Sequence, residues 1–174
     1  MKPSDTDPYS TPTAVLKNET ALNDPTQIMQ AFPRFSAWAV FGLAIITMGL
    51  YYVWWLYSRT KIINQVHYHK IPPSLIYIVF ILLAANIGIS ILSELEPSNM
   101  NYTMASNITS IFYSISSIYW VFAVRNRIHQ MTKADVLSGC YLGGIMTFIF
   151  QVLYIQYKIN EYIDRQSTSA TLAS

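Results

Sequence analysis

The stretch from Ile46 to Asn64 constrains the fold more than any other. It reads Ile-Thr-Met-Gly-Leu-Tyr-Tyr-Val-Trp-Trp-Leu-Tyr-Ser-Arg-Thr-Lys-Ile-Ile-Asn, so an aliphatic run passes through a belt of aromatics and emerges at Arg59 and Lys61. A helix leaving a bilayer meets its environments in that order. Hydrocarbon comes first, then the headgroup level where Trp and Tyr rings settle, then water and lipid phosphate. A transmembrane helix is therefore expected here, with Trp54, Trp55, Tyr57, Arg59 and Lys61 as lipid anchors and Asn64 beyond them. Composition agrees: 11% of the residues are charged, against about a quarter in soluble domains. So few charges cannot cover a water-facing surface.

Four apolar runs, at about 36–57, 73–95, 108–124 and 136–157, each approach the roughly 20 residues that cross about 30 Å of hydrocarbon. Pro72-Pro73 opens the second and Pro97 closes it, positions where proline suits a helix start and stop. Residues 1–33 are rich in Ser, Thr, Asp, Asn and Pro and are expected to form a disordered polar tail. Residues 166–174 are expected to be a flexible C-terminal tail. The expected fold is all-α, an integral membrane bundle of four transmembrane helices over residues 34–165.

The third run repeats the exit pattern of the first, ending in Tyr119, Trp120, Arg125 and Arg127. Aligning Trp55 with Trp120 sets Ile63 on Ile128, Asn64 on His129 and Gln65 on Gln130. Two readings fit: a duplicated unit, or the common need of two helices leaving on one side. Orientation follows from the cations. Arg59, Lys61, Lys70, Arg125, Arg127 and Lys133 flank two connections, whereas Glu96 to Asn107 holds no Lys or Arg. Loops 58–72 and 125–135 are therefore expected in the cytoplasm. Four full crossings would put both tails outside, and Arg34 and Lys158 stand against that. Thr47-Met48-Gly49 and Gly143-Gly144 also admit broken or re-entrant helices, but glycine occurs freely in straight transmembrane helices, so continuous crossings are preferred.

Polar residues within the runs mark where helices meet. Gly139, Gly143, Thr147 and Gln151 recur every four residues in the fourth run, and Ser106, Ser110, Ser114 and Ser117 nearly so in the third. Small residues on one face let backbones approach, so these stripes are expected to face protein, and each other in one arrangement. Asn86, near the middle of the second run, should point inward to a partner, since an unpaired amide in hydrocarbon is costly. No Asp, Glu, Lys, Arg or His lies deep in any run, which removes the chemistry of a proton relay. His67, His69 and His129 lack the companions of a metal site. Cys140 reads as a small packing residue. No catalytic motif, cofactor or metal is expected, and a net charge of +2 does not suggest nucleic acid.

Ile46-Thr47, Gly49, Tyr51, Trp54-Trp55, Tyr57, Thr60 and Asn64 resemble the signature of a family of small bacterial membrane proteins of unknown function. Its pattern is I-T-x-G-x-Y-x-x-Y/W-W-x-Y followed by Asn, with Trp54 standing where Tyr is commoner. The resemblance implies location in the bacterial inner membrane and no particular activity. The expectation is a membrane-embedded interaction protein, in contact with anionic lipid and with a membrane partner or a second copy. The alternative is a minimal channel or transporter subunit lined by Asn86, the serines of the third run and Gln151.

Overall fold

The first apolar run forms two helices, not one. In a computed structural model that describes residues 31–66, 69–132 and 141–172, α1 (Ala37–Ile46) ends at Thr47 and α2 (Leu50–Val66) begins at Leu50. Ser36 caps α1, its hydroxyl accepting from the Ala39 N–H at 3.4 Å, which satisfies one free donor of the first turn. Between the helices, Met48 (φ 50°) and Gly49 (φ 88°) are left-handed. That conformation is free for glycine and costs about 1–2 kcal/mol for methionine. Thr47 bridges the break: its hydroxyl donates to Leu43 O at 2.7 Å and accepts from the Tyr51 N–H at 2.9 Å.

The break reverses the chain. A straight helix would hold Phe35 and Arg59 about 36 Å apart at 1.5 Å per residue. Instead Asn160 donates to Phe35 O at 2.7 Å, accepts from Gln156 at 2.9 Å, and Gln156 accepts from Arg59 at 2.8 Å. Two intervening side chains therefore link the start of α1 to the far part of α2.

α3 (Pro73–Leu95) and α4 (Met100–Thr132) form an antiparallel hairpin across the turn at 96–99. Pro73 occupies the first helical position, where its missing N–H costs nothing. Along the seam Asn86 donates to Ser110, Ser90 pairs with Ser106 at 3.0 Å, and Ser93 pairs with Thr103 at 3.2 Å. The N-terminal half of the α4 serine stripe, Ser106 and Ser110, thus faces α3, whereas Ser117 reaches Tyr52 of α2. α4 is also longer than the expected 108–124.

α5 (Gly144–Leu172) contains a second reversal, at Gln151 (φ 42°, ψ −119°). Before it, Leu142 lies against Arg125, which donates to Leu142 O at 2.8 Å. After it, Gln156 lies against Arg59. Tyr154 Oη accepts from the Gly143 N–H at 3.2 Å, a contact that a straight helix would forbid. The expected continuous crossings at 36–57 and 136–157 are therefore corrected: each run doubles back. Residues 133–140, including Gly139 and Cys140, lie outside the described residues, as do 1–30.

Both reversals bring the cations together. Arg34 pairs with Asp164 at 2.9 Å, beside Phe35 and Asn160, and Lys158 pairs with Glu161 at 2.7 Å. The Lys158 hydrogen bond holds the Glu161 carboxyl below its ordinary value. Arg34 and Lys158, which oppose the expected topology, thus lie at the end that also holds Arg59 and Arg125. The turn at 96–99, with Glu96 and no cation, forms the opposite end.

The core sits at the cationic end. Trp55, Leu56, Ile63, Ile71, Trp120, Ile128, Leu142, Ile155 and Ile159 are buried there. Elsewhere large apolar side chains such as Ile81, Leu95, Ile111 and Ile115 are exposed. α3 and α4 are long and apolar enough to cross a membrane, yet only 6% and 22% of their most apolar windows are buried. A core helix of a soluble protein would be mostly buried.

The expected alignment of the first and third runs has a structural counterpart. Asn64 accepts from the Ile71 N–H at 2.7 Å and donates to Ile71 O at 3.1 Å. At the aligned position His129 Nε2 accepts from the Leu142 N–H at 2.8 Å, while Arg125 serves Leu142 O. In each case a helix tail satisfies the backbone of a buried aliphatic residue just ahead of the return helix.

Candidate functional site

The two reversals meet. Thr47, Met48 and Gly49 from one, and Gln151 from the other, line an open cavity of about 800 Å³. Asn86 of α3 and Ser114 and Ser117 of α4 complete its polar lining together with Tyr52 and Tyr113, and Ile46, Leu50, Leu83, Ile87 and Ile118 supply apolar wall. Among the described residues, no Asp, Glu, Lys, Arg or His lines it. Both non-glycine residues with positive φ among the described residues, Met48 and Gln151, lie at this cavity. Two strained positions converging on one space make it the candidate site, because such strain persists where the surroundings over-determine it.

Its hydrogen-bonding capacity is partly spent. Asn86 donates to Ser110, Ser117 donates to Tyr52 Oη at 2.9 Å, and Ser114 donates back to Ser110 O at 2.8 Å. Hydroxyl oxygens and the Asn86 carbonyl keep acceptor capacity. The Gln151 carboxamide has no hydrogen-bond partner among the described residues, which leaves donors and an acceptor at the cavity. The arrangement can solvate a small uncharged molecule through several weak contacts, and it offers no counter-charge to an ion.

A second cluster lies at the cationic end. Arg59 is 4% exposed, and its Nη2 donates to Gln156 Oε1, which also accepts from Trp55 Nε1 at 3.1 Å. The guanidinium lies 5.1 Å from the Trp55 ring centroid, within cation–π range. Arg59 Nε is buried without a partner. Trp120 Nε1 donates to Thr60 at 2.9 Å. This cluster ties α2 to α4 and α5.

The structure thus divides the expected anchors. Trp54, Tyr57 and Lys61 are exposed on α2, whereas Trp55, Arg59 and Trp120 are buried packing and hydrogen-bonding groups. Headgroup contact is corrected for those three, because one face of α2 is covered by α4 and α5, and Trp120 of α4 packs into that contact on Thr60. Asn64 holds Ile71, and Arg125 and Arg127 are half-buried. Asn86, Ser114, Ser117 and Gln151 share the cavity, Ser110 supports Asn86, and buried Thr147 donates to Gly143 O at 2.8 Å. Gly143 makes no close helix contact: a Cβ there would meet only Tyr154 Oη, at 3.7 Å. The expected close contact is therefore corrected at Gly143 among the described residues; Gly139 lies outside them. Among the described residues no group of three potential metal ligands occurs. Gln156 carries the buried cluster.

The profile of the domain of unknown function DUF4234 matches residues 35–130, more than half of the chain. The match covers α1 to α3 and nearly all of α4, and it ends before α5. No curated protein and no solved structure matches.

Proposed function

The chain belongs to the DUF4234 family, and from that premise we propose a multi-pass integral membrane protein that binds and passes a small uncharged polar solute. Two helices cross, α3 and α4, and two re-entrant hairpins dip to mid-membrane from the cationic, cytoplasmic side of the inner membrane. The limbs suit this depth: α1, with 10 residues, is about 15 Å long, half a hydrocarbon core. Residues 34, 59, 61, 125, 127 and 158 then fall on one side, as the distribution of cations in membrane proteins requires.

The observation that carries the function is the convergence of both helix interruptions with Asn86 on one polar, uncharged cavity. Irregular backbone at membrane depth is tolerated where protein or a water-filled cavity shields it, and interrupted helices build the mid-membrane sites of transporters. An ion would shed water there with no counter-charge, at a cost of several kcal/mol. A neutral hydroxyl or amide solute avoids it.

The test is flux. Purified protein reconstituted in phosphatidylcholine vesicles should raise the permeability to glycerol or urea, and not to potassium, in stopped-flow light scattering and potassium-electrode measurements. Asn86→Leu and Gln151→Leu should return flux to the level of empty vesicles while leaving the detergent-solubilised protein monodisperse. Folded wild-type protein with no flux of either solute, or with potassium flux, overturns the proposal. The interaction reading stands second, favoured by exposed Trp38 and Phe41 on α1. It is supported instead if Trp38→Ala removes a crosslinked partner in membranes that show no solute flux.

A further inference from the structure

A different crevice lies between α2 and α3 at the cationic end. It encloses about 580 Å³, and Tyr57, Lys61 and Gln65 line it from α2 while Ile76, Tyr77 and Phe80 line it from α3. Its polarity is graded. Lys61 and Gln65, one helical turn apart, are exposed at the outer rim. Tyr57 lies one turn further in than Lys61, and its ring meets Phe80 edge-on at 6.2 Å. Phe80 is seven residues inward from Pro73, about 10 Å along the axis of α3. The crevice thus runs from an ammonium and an amide to an aromatic and aliphatic floor.

Two further polar residues of the crevice are already engaged. Thr60 accepts from Trp120, and Asn64 is held by Ile71. Lys61 forms no ion pair among the described residues. The gradient matches an amphiphile with a negative head and an apolar tail: phosphate at Lys61 and Gln65, glycerol beside Tyr57 and Tyr77, and the first acyl carbons along Ile76 and Phe80. A zwitterionic headgroup sets its own cation against Lys61, whereas an anionic one does not. We infer that this crevice seats one anionic phospholipid between α2 and α3. The inference rests on the membrane reading and is independent of solute passage.

Native mass spectrometry of protein released from nanodiscs of equal phosphatidylglycerol and phosphatidylcholine tests it. Wild-type chains should retain one phosphatidylglycerol in preference to phosphatidylcholine. Lys61→Ala should lower that preference about fivefold, the effect of one cation beside an anionic lipid. Gln65→Leu should lower it less, and Lys70→Ala, at an exposed position outside the crevice lining, should leave it unchanged. Addition of 10 mM inorganic phosphate should not displace the lipid. Equal retention of both lipids, an unchanged preference in Lys61→Ala, or displacement by phosphate overturns the inference. Alkaline carbonate extraction separates the premises: protein washed off the membrane defeats the membrane reading, whereas retained protein without lipid preference defeats only the lipid seat.

Discussion

Replacing Gln156 by Leu should markedly destabilise the buried Arg59 cluster. The substitution keeps nearly the same volume but removes an acceptor that serves two buried donors, Arg59 Nη2 at 2.8 Å and Trp55 Nε1 at 3.1 Å. Arg59 Nε already lacks a partner, so the guanidinium would be left buried without its bond to α5. A hydrogen bond to a charged group is worth about 2 kcal/mol and one to an indole N–H about 1 kcal/mol, for a loss of roughly 3 kcal/mol. In a chain of this length that corresponds to about 6–12 °C in Tm. Thermal denaturation in mild detergent, followed by tryptophan fluorescence, reads it directly. Gln156→Glu retains the acceptor for Arg59 and Trp55 but loses the donor to Asn160 Oδ1, so it should fall between wild type and Gln156→Leu. The double variant Arg59→Met with Gln156→Leu should recover most of the loss, because removing both partners leaves no buried charge unsatisfied. A Tm for Gln156→Leu within 2 °C of wild type, or a double variant no more stable than the single one, would refute the reasoning.

The reversal between α1 and α2 predicts opposite effects at one position: Met48→Gly should gain about 1 kcal/mol by relieving the left-handed strain, and Met48→Val should lose at least that much. Equal stability of the two variants in the same melt would mean that Met48 is not held in that conformation. The topology can be read with single cysteines in a Cys140→Ala background, labelled by an impermeant thiol reagent on intact spheroplasts. Ser98→Cys should label, while Ser36→Cys and Thr168→Cys should be protected until the membrane is opened; labelling of all three would restore four full crossings.

The bounds of α3 were legible from local features, whereas its seam with α4 was not. Pro72-Pro73 and Pro97 bound the second run, and Asn86 announced a partner because an amide in an apolar helix needs one. The Asn64–His129 correspondence was also visible in the alignment of Trp55 with Trp120, and Asn86, Ser114, Ser117 and Gln151 could be named as polar lining. Their shared cavity could not be, because its position depends on where two reversals place their tips. The second reversal gave a misleading signal: Gly143-Gly144 looks like the break, yet Gly144 starts the helix and Gln151 makes the turn.

By itself the sequence determined helicity, the apolar lengths and a low share of charged residues. These follow from composition and from residues close together in the chain. It could not decide between anchoring and packing in α2, because the same residue types serve both. Trp54, Tyr57 and Lys61 lie on one helical face, Trp55 and Arg59 on the other, and only the second face is covered. What covers it includes Gln156, 97 residues away. Nor could it decide whether Thr47-Met48-Gly49 continues or reverses. A Thr-Met-Gly segment permits both at a cost of a kcal/mol or two, and the contact of Asn160 with Phe35 across 125 residues accompanies the reversal. Tertiary structure settled both, because energies of a few kcal/mol between distant residues outweigh local preferences smaller than they are.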